Sequence, residues 1–125
     1  MNIRLYTIPH KRQEYDTVGN WKVQGATLKE IIVSEMFNDD YHMLVAIHEL
    51  IEAHLCVKRG IRQAVVDAFD MDYEMKRKKG DVSEPGDSKD APYYKEHRFA
   101  TKIERLLAKE FGVDWDAYEK RVNAL

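Results

Sequence analysis

The chain has 125 residues, 44% of them hydrophobic and 34% charged. That fits one globular domain with a single core and excludes a disordered or fibrous chain. Its 20 Lys and Arg against 22 Asp and Glu leave a formal net charge of -2, without the basic excess of a nucleic-acid protein, so no nucleic-acid partner is expected. One cysteine, Cys56, forbids an internal disulfide and fits a reducing compartment. The start, MNIRLYTIPHKRQEYD, has no secretory apolar run, and no stretch is as long as a membrane span. The expectation is a cytoplasmic protein with no membrane partner.

Residues 3–8 alternate apolar and polar until Pro9 ends the run, which predicts a first strand. Turn residues around Gly19-Asn20 lead to a second strand near Trp21 to Val23. After Gly25 comes a third, Leu28 to Ser34, with β-branched Ile31-Ile32-Val33 at its centre. Three short strands in succession predict a small antiparallel sheet. Asn38-Asp39-Asp40 offers helix caps and early acidic charge. A first helix is expected from about Asp40 to Arg59, closed by Gly60, and a second from Arg62 to about Arg77. Residues 79–92 hold two Gly and two Pro among polar residues and read as a long loop, either mobile or functional. A third helix is expected from near Tyr93 to Gly112, and a short last one from Asp116 to Val122. The fold class is α+β: a small N-terminal antiparallel sheet packed on three main helices and a short C-terminal one, in a single domain over residues 1–125.

The first helix is the most apolar and should be central. At 100° per residue, Leu44, Val45, Ile51, Leu55 and Cys56 form one arc, with His48 and Glu52 inside it one turn apart. Glu49 lies at the arc's edge, and His54 points away. Ionisable groups inside an apolar stripe are costly unless satisfied. A buried His–Glu hydrogen bond that only holds the core would do this; so would a metal site.

His48-Glu49-x-x-Glu52 resembles the HExxH helix of the zincin metallopeptidases, in which two histidines hold zinc and the glutamate activates water. The strand-then-helix order resembles the zincin core as well, where an edge strand orders an extended substrate. Glu52 stands where that pattern has its second histidine, and an oxygen ligand admits iron or manganese besides zinc. HELIEAHLC together with HRFATKIERLLA also resembles a small uncharacterised protein family of bacteria and their phages, which implies no activity.

A third ligand is expected from helix three. His97, Thr101 and Glu104 share one face there, at the border of a stripe formed by Phe99, Ala100, Ile103, Leu106 and Leu107. His48, Glu52 and His97 make a three-ligand set that leaves a position open for water. Glu49 would be the general base. Helix two offers Asp67, Asp70 and Glu74, either a solvated acidic face or a supply of further ligands. Glu49-x-x-Glu52 with Asp67-x-x-Asp70 resembles the carboxylate pattern of MazG-type nucleotide pyrophosphohydrolases, all-helical enzymes that hold magnesium on four carboxylates; the sheet and His48 depart from it. The leading expectation is a divalent-metal hydrolase, zinc being the first choice of metal and a peptide the first choice of substrate. The nucleotide enzyme is one alternative. The other is a non-enzymatic phage or bacterial protein with a structural cluster or a degenerate metal site.

Overall fold

The computed structural model describes residues 1–125. Three strands form one sheet: β1 (Arg4–Ile8), β2 (Gly19–Gln24) and β3 (Thr27–Ser34). Four helices follow: α1 (Asp39–Lys58), α2 (Gln63–Lys76), α3 (Tyr94–Phe111) and α4 (Trp115–Asn123). The architecture is α+β with its sheet at the N-terminus, as the patterning implies. No helix is long and apolar enough to cross a membrane.

The sheet is mixed rather than antiparallel throughout. β2 and β3 form an antiparallel hairpin, with Gln24 opposite Thr27. β1 instead pairs parallel with β3, Arg4 against Glu30 through Ile8 against Ser34, so the order is β1-β3-β2. The reason lies in residues 9–17, which are too many for a hairpin turn. They pass around the end of β3, where His10 and Gln13 hydrogen-bond the Ser34 hydroxyl at 2.9 and 3.1 Å and the Thr17 carbonyl accepts from it. Alternation reveals which residues are strand, but not which edge a strand joins.

Strand alternation then decides what α1 meets. Trp21, Ile31 and Val33 lie on the inner face and are almost fully buried. α1 packs on that face and also against α3. A helix enclosed on two sides needs apolar residues on two sides. That is why Leu44, Val45, Ala46, Ala53 and Cys56 are all buried, while Ile51 and Leu55 of the expected arc are only half-buried. Asn38 caps the helix by accepting from the Tyr41 amide at 3.1 Å, and Asp39 and Asp40 stand at the positive end of its dipole.

α3 is turned differently from its hydrophobic stripe. Phe99 and Leu106 are 49% and 66% exposed, whereas Glu96, His97, Ala100, Glu104 and Ala108 are buried. Ala100 and Ala108 allow a close approach to α1, and the acidic and imidazole groups between them find partners across the interface. Polar pairing, rather than maximal burial of large side chains, orients this helix.

Candidate metal centre

His48 and Glu52 stand one turn apart on the side of α1 that meets α3, and His97 reaches them from the first turns of α3. All three are within 6% of complete burial. His48 Nε2 lies 3.1 Å from His97 Nδ1 and 3.2 Å from Glu52 Oε2, and His97 Nδ1 lies 2.9 Å from Glu52 Oε2. Ligands about 2.0–2.1 Å from an ion sit about 3.3 Å apart in a tetrahedron and about 2.9 Å apart on an octahedral face. The observed triangle falls between these values, so its size suits either geometry.

The outer nitrogens determine what the inner ones offer. His48 Nδ1 donates to Glu104 Oε2 at 2.7 Å, and Tyr118 donates to the other oxygen of that carboxylate. His97 Nε2 donates to Glu84 Oε2 at 3.0 Å, with Asp87 Oδ1 at 3.5 Å. A carboxylate held this way fixes the tautomer and orientation of an imidazole that faces a metal. With its outer nitrogen protonated, each neutral ring turns a lone pair inward, where a carboxylate oxygen meets both. Three electron-rich atoms converging in a buried place require a cation among them, either additional protons or a metal ion.

The protonation equilibria reflect the same demand. Burial works against the His48 imidazolium, but its bonds to Glu104 and Glu52 prevail and raise its pKa to about 10. Burial opposes His97 charging in the same way, and Asp87, Glu52 and Glu84 raise it to about 12. For Glu52, the penalty of burial is overcome by the two imidazoles, which hold it down at about 2.

Further contacts shape the surroundings. Glu52 Oε1 accepts from the Trp21 indole at 3.3 Å, leaving Oε2 to face the histidines. Glu49 lies along β2, so close to Gly19 that a Cβ there would meet its Cγ at 2.6 Å. Only glycine lets this carboxylate lie flat on the strand. Glu49 has neither a hydrogen-bond donor nor an ion-pair partner. Burial, followed by the nearby Glu52 charge, raises its pKa to about 8. A cavity of about 610 Å³ opens over the cluster, lined among others by Glu49, Tyr15, Asp70, Tyr93 and residues 81–87.

Of the other candidates, Asp70 is buried and lines this cavity, but both its oxygens are engaged, by Tyr93 and by Tyr15 at 3.1 Å. Burial raises it to about 7 against the opposing Tyr93 bond. Asp67 faces Tyr15 at only 3.5 Å, and Glu74 holds Arg77 through two bonds of 2.7 Å. Glu49, Glu52, Asp67 and Asp70 do not gather about one point; the two groups able to surround an ion are His48–Glu52–His97 and Glu84–Asp87–His97. His54 is exposed, as its place on the wheel implies.

Sequence reasoning missed Glu84, Asp87, Tyr15, Tyr93 and Tyr118. The loop at 79–92 is part of the site: a one-turn 3₁₀ segment, Pro85–Asp87, sits on His97, and a Cβ on Gly86 would penetrate the imidazole. A glycine between Pro85 and Asp87 in an acidic loop was the one available sign of close approach.

The outer edge of β2 is closed. Gln63, the first residue of α2, accepts from the Val23 amide at 2.8 Å and donates to the Trp21 carbonyl, and Thr17 donates to the Gly19 carbonyl at 2.7 Å. Comparison with protein families, with curated proteins and with solved structures found no match to this chain.

Proposed function

We propose that this protein is a divalent-metal-dependent hydrolase with zincin-like chemistry. His48, Glu52 and His97 are the ligands and Glu49 is the general base. The observation that carries this reading is the convergence of three lone-pair donors whose outer partners are already in place. Two imidazoles and one carboxylate suit zinc, and the same set accepts iron or manganese. The ion supplies Lewis acidity toward a water or a substrate carbonyl. Glu49, beside the ligands and without a donor of its own, would take the proton that an attacking water gives up. The bond broken is an amide, with a peptide as the leading case.

The nucleotide pyrophosphohydrolase reading needs four carboxylates about a magnesium ion, and that grouping is absent. A structural polar cluster is the remaining competitor, because protons alone can fill the triangle. Metal analysis of untagged protein separates these readings. The hydrolase reading expects about one equivalent of zinc, iron or manganese, lost in His48→Ala and retained in Asp70→Ala. Protein that emerges metal-free, and whose melting temperature added metal leaves unchanged, refutes it. Greater loss on Asp70→Ala, with magnesium as the ion, favours the nucleotide enzyme.

A further inference from the structure

We infer that Arg105 receives the carboxylate of a peptide's free C-terminus, so that the bond broken lies one or two residues from that end. The inference rests on the hydrolase reading for the chemistry, and on separate observations for what Arg105 binds.

The first of these is a free cation in the cavity. Arg77 and Arg105 are the only Lys or Arg side chains lining it. Arg77 is already committed to Glu74 and to the carbonyls of Asp81 and Ser83. Arg105 has no hydrogen-bond or ion-pair partner; its guanidinium lies over the Trp115 ring, 4.4 Å from the centroid. The adjacent carboxylate, Glu104, is taken by His48 and Tyr118. Stacking uses the face of a guanidinium and leaves the fork of N–H donors at its edge. A carboxylate matches that fork with two parallel bonds. The indole N–H of Trp115, a second lining residue, is buried and also lacks an acceptor. Two donors without partners at one end of the cavity call for an oxygen acceptor that the chain does not supply. Because the other ionised side chains around them are mostly acidic, Arg105 fixes where an anion docks as well as its charge.

The second observation is the span. Arg105 follows His97 by eight residues, about 12 Å of helix, and its neighbour Glu104 reaches the outer nitrogen of His48 at 2.7 Å. The guanidinium thus stands on the order of 10 Å from the triangle of lone pairs. Contacts at the two ends take up about 2 Å and about 3 Å of this, and an extended residue covers about 3.3–3.6 Å. One residue, or two at most, fits between a carbonyl at the triangle and a carboxylate at Arg105. Hydrolysis puts the hydroxyl of water on the acyl carbon and the remaining proton on the leaving nitrogen, so Arg105 holds the released amino acid or dipeptide.

The third observation concerns how a peptide can be gripped. Strand addition needs free amides and carbonyls along an edge. On β2 the Gln63 carboxamide occupies one amide and one carbonyl, and Thr17 occupies a further carbonyl. A substrate held by its terminus needs no such ladder.

The test compares N-acetylalanylleucine with its C-terminal amide, two probes of one shape that differ in charge at one end. Binding is followed through the indole signals of Trp21 and Trp115 in ¹H–¹⁵N spectra, in zinc-loaded Glu49→Gln protein, where turnover should be absent, and in metal-free parent. The expected result is at least tenfold tighter binding of the acid, with the Trp115 signal displaced. Arg105→Gln should remove the preference and Arg105→Lys should keep part of it, while Lys102→Gln, at another exposed position of α3, should leave it intact. In turnover by the zinc-loaded parent, Arg105→Gln should raise KM for the acid at least tenfold with kcat little changed. Equal binding of the two probes, preference for the amide, an unaltered preference in Arg105→Gln, or an equal loss in Lys102→Gln overturns the inference. If the preference holds and metal analysis finds no ion, the carboxylate receptor stands and the hydrolase reading falls. If zinc binds and the amide is cleaved as well as the acid, the reverse is true.

Discussion

Glu49→Gln separates the cost of the proposed base from its use. Gln has the shape of Glu and no charge, so the variant keeps the packing along Gly19. The folded protein holds the Glu49 proton up to about pH 8, against an ordinary value of 4.5. Its raised pKa therefore favours folding fully below 4.5, and that contribution is lost as pH rises through 8. A shift of that size corresponds to at most about 5 kcal/mol at 1.4 kcal/mol per unit. Water in the cavity and side-chain relaxation reduce this to about 2–3 kcal/mol. In metal-free protein, Glu49→Gln should match the parent near pH 4.5 and exceed it by about that amount at pH 9, a rise of about 6–12 °C in melting temperature for a chain of this length. Paired thermal scans at the two pH values measure it. Metal binding should survive the change while hydrolysis is lost. A stability difference that does not vary with pH, or a variant less stable at pH 9, refutes the burial of an unpaired carboxylate on which the base assignment rests.

Metal uptake should release about two protons per ion near pH 7.5. Contacts with carboxylates raise both imidazoles well above their ordinary pKa in the metal-free fold, and binding an ion requires each to free its inner nitrogen. Apparent affinity should therefore rise by up to about 100-fold per pH unit, measured by chelator competition and by calorimetry in buffers of different ionisation enthalpy; release of less than one proton refutes the tautomer assignment. Gly86→Ala places a methyl group inside the His97 ring, so either the 3₁₀ segment or the imidazole must yield, at a cost of about 1–3 kcal/mol. Denaturant titration should record that loss, together with weaker metal binding than in the parent. An unchanged affinity would mean that the loop does not position His97.

Helical spacing alone put His48 and Glu52 side by side, because residues four apart on a helix always are. Uniting His97 with them needed the α1–α3 packing, which no local pattern encodes. On α3 the hydrophobic stripe misled: Phe99 and Leu106 face outward, since Ala100, Ala108 and the polar pairs between the helices govern the approach. β1 was legible as a strand, but its parallel pairing depends on residues 9–17, whose path is set by contacts with Ser34. Glu84 and Asp87 were invisible for a similar reason. They belong to a loop, and only the missing side chain of Gly86 hinted that another group comes close.

The separation of the three donors along the chain has a consequence for when a metal centre could exist. His48 and Glu52 belong to one turn of one helix, but His97 follows 49 and 45 residues later. During synthesis, when N-terminal parts emerge first, a chain grown only through α1 and α2 holds two of the three donors and lacks the third. Residues 84–87, which orient that third donor, also emerge after both helices. The triangle closes only once α3 has docked, so an ion would be loaded into a nearly finished fold rather than serving as the seed around which the chain collapses.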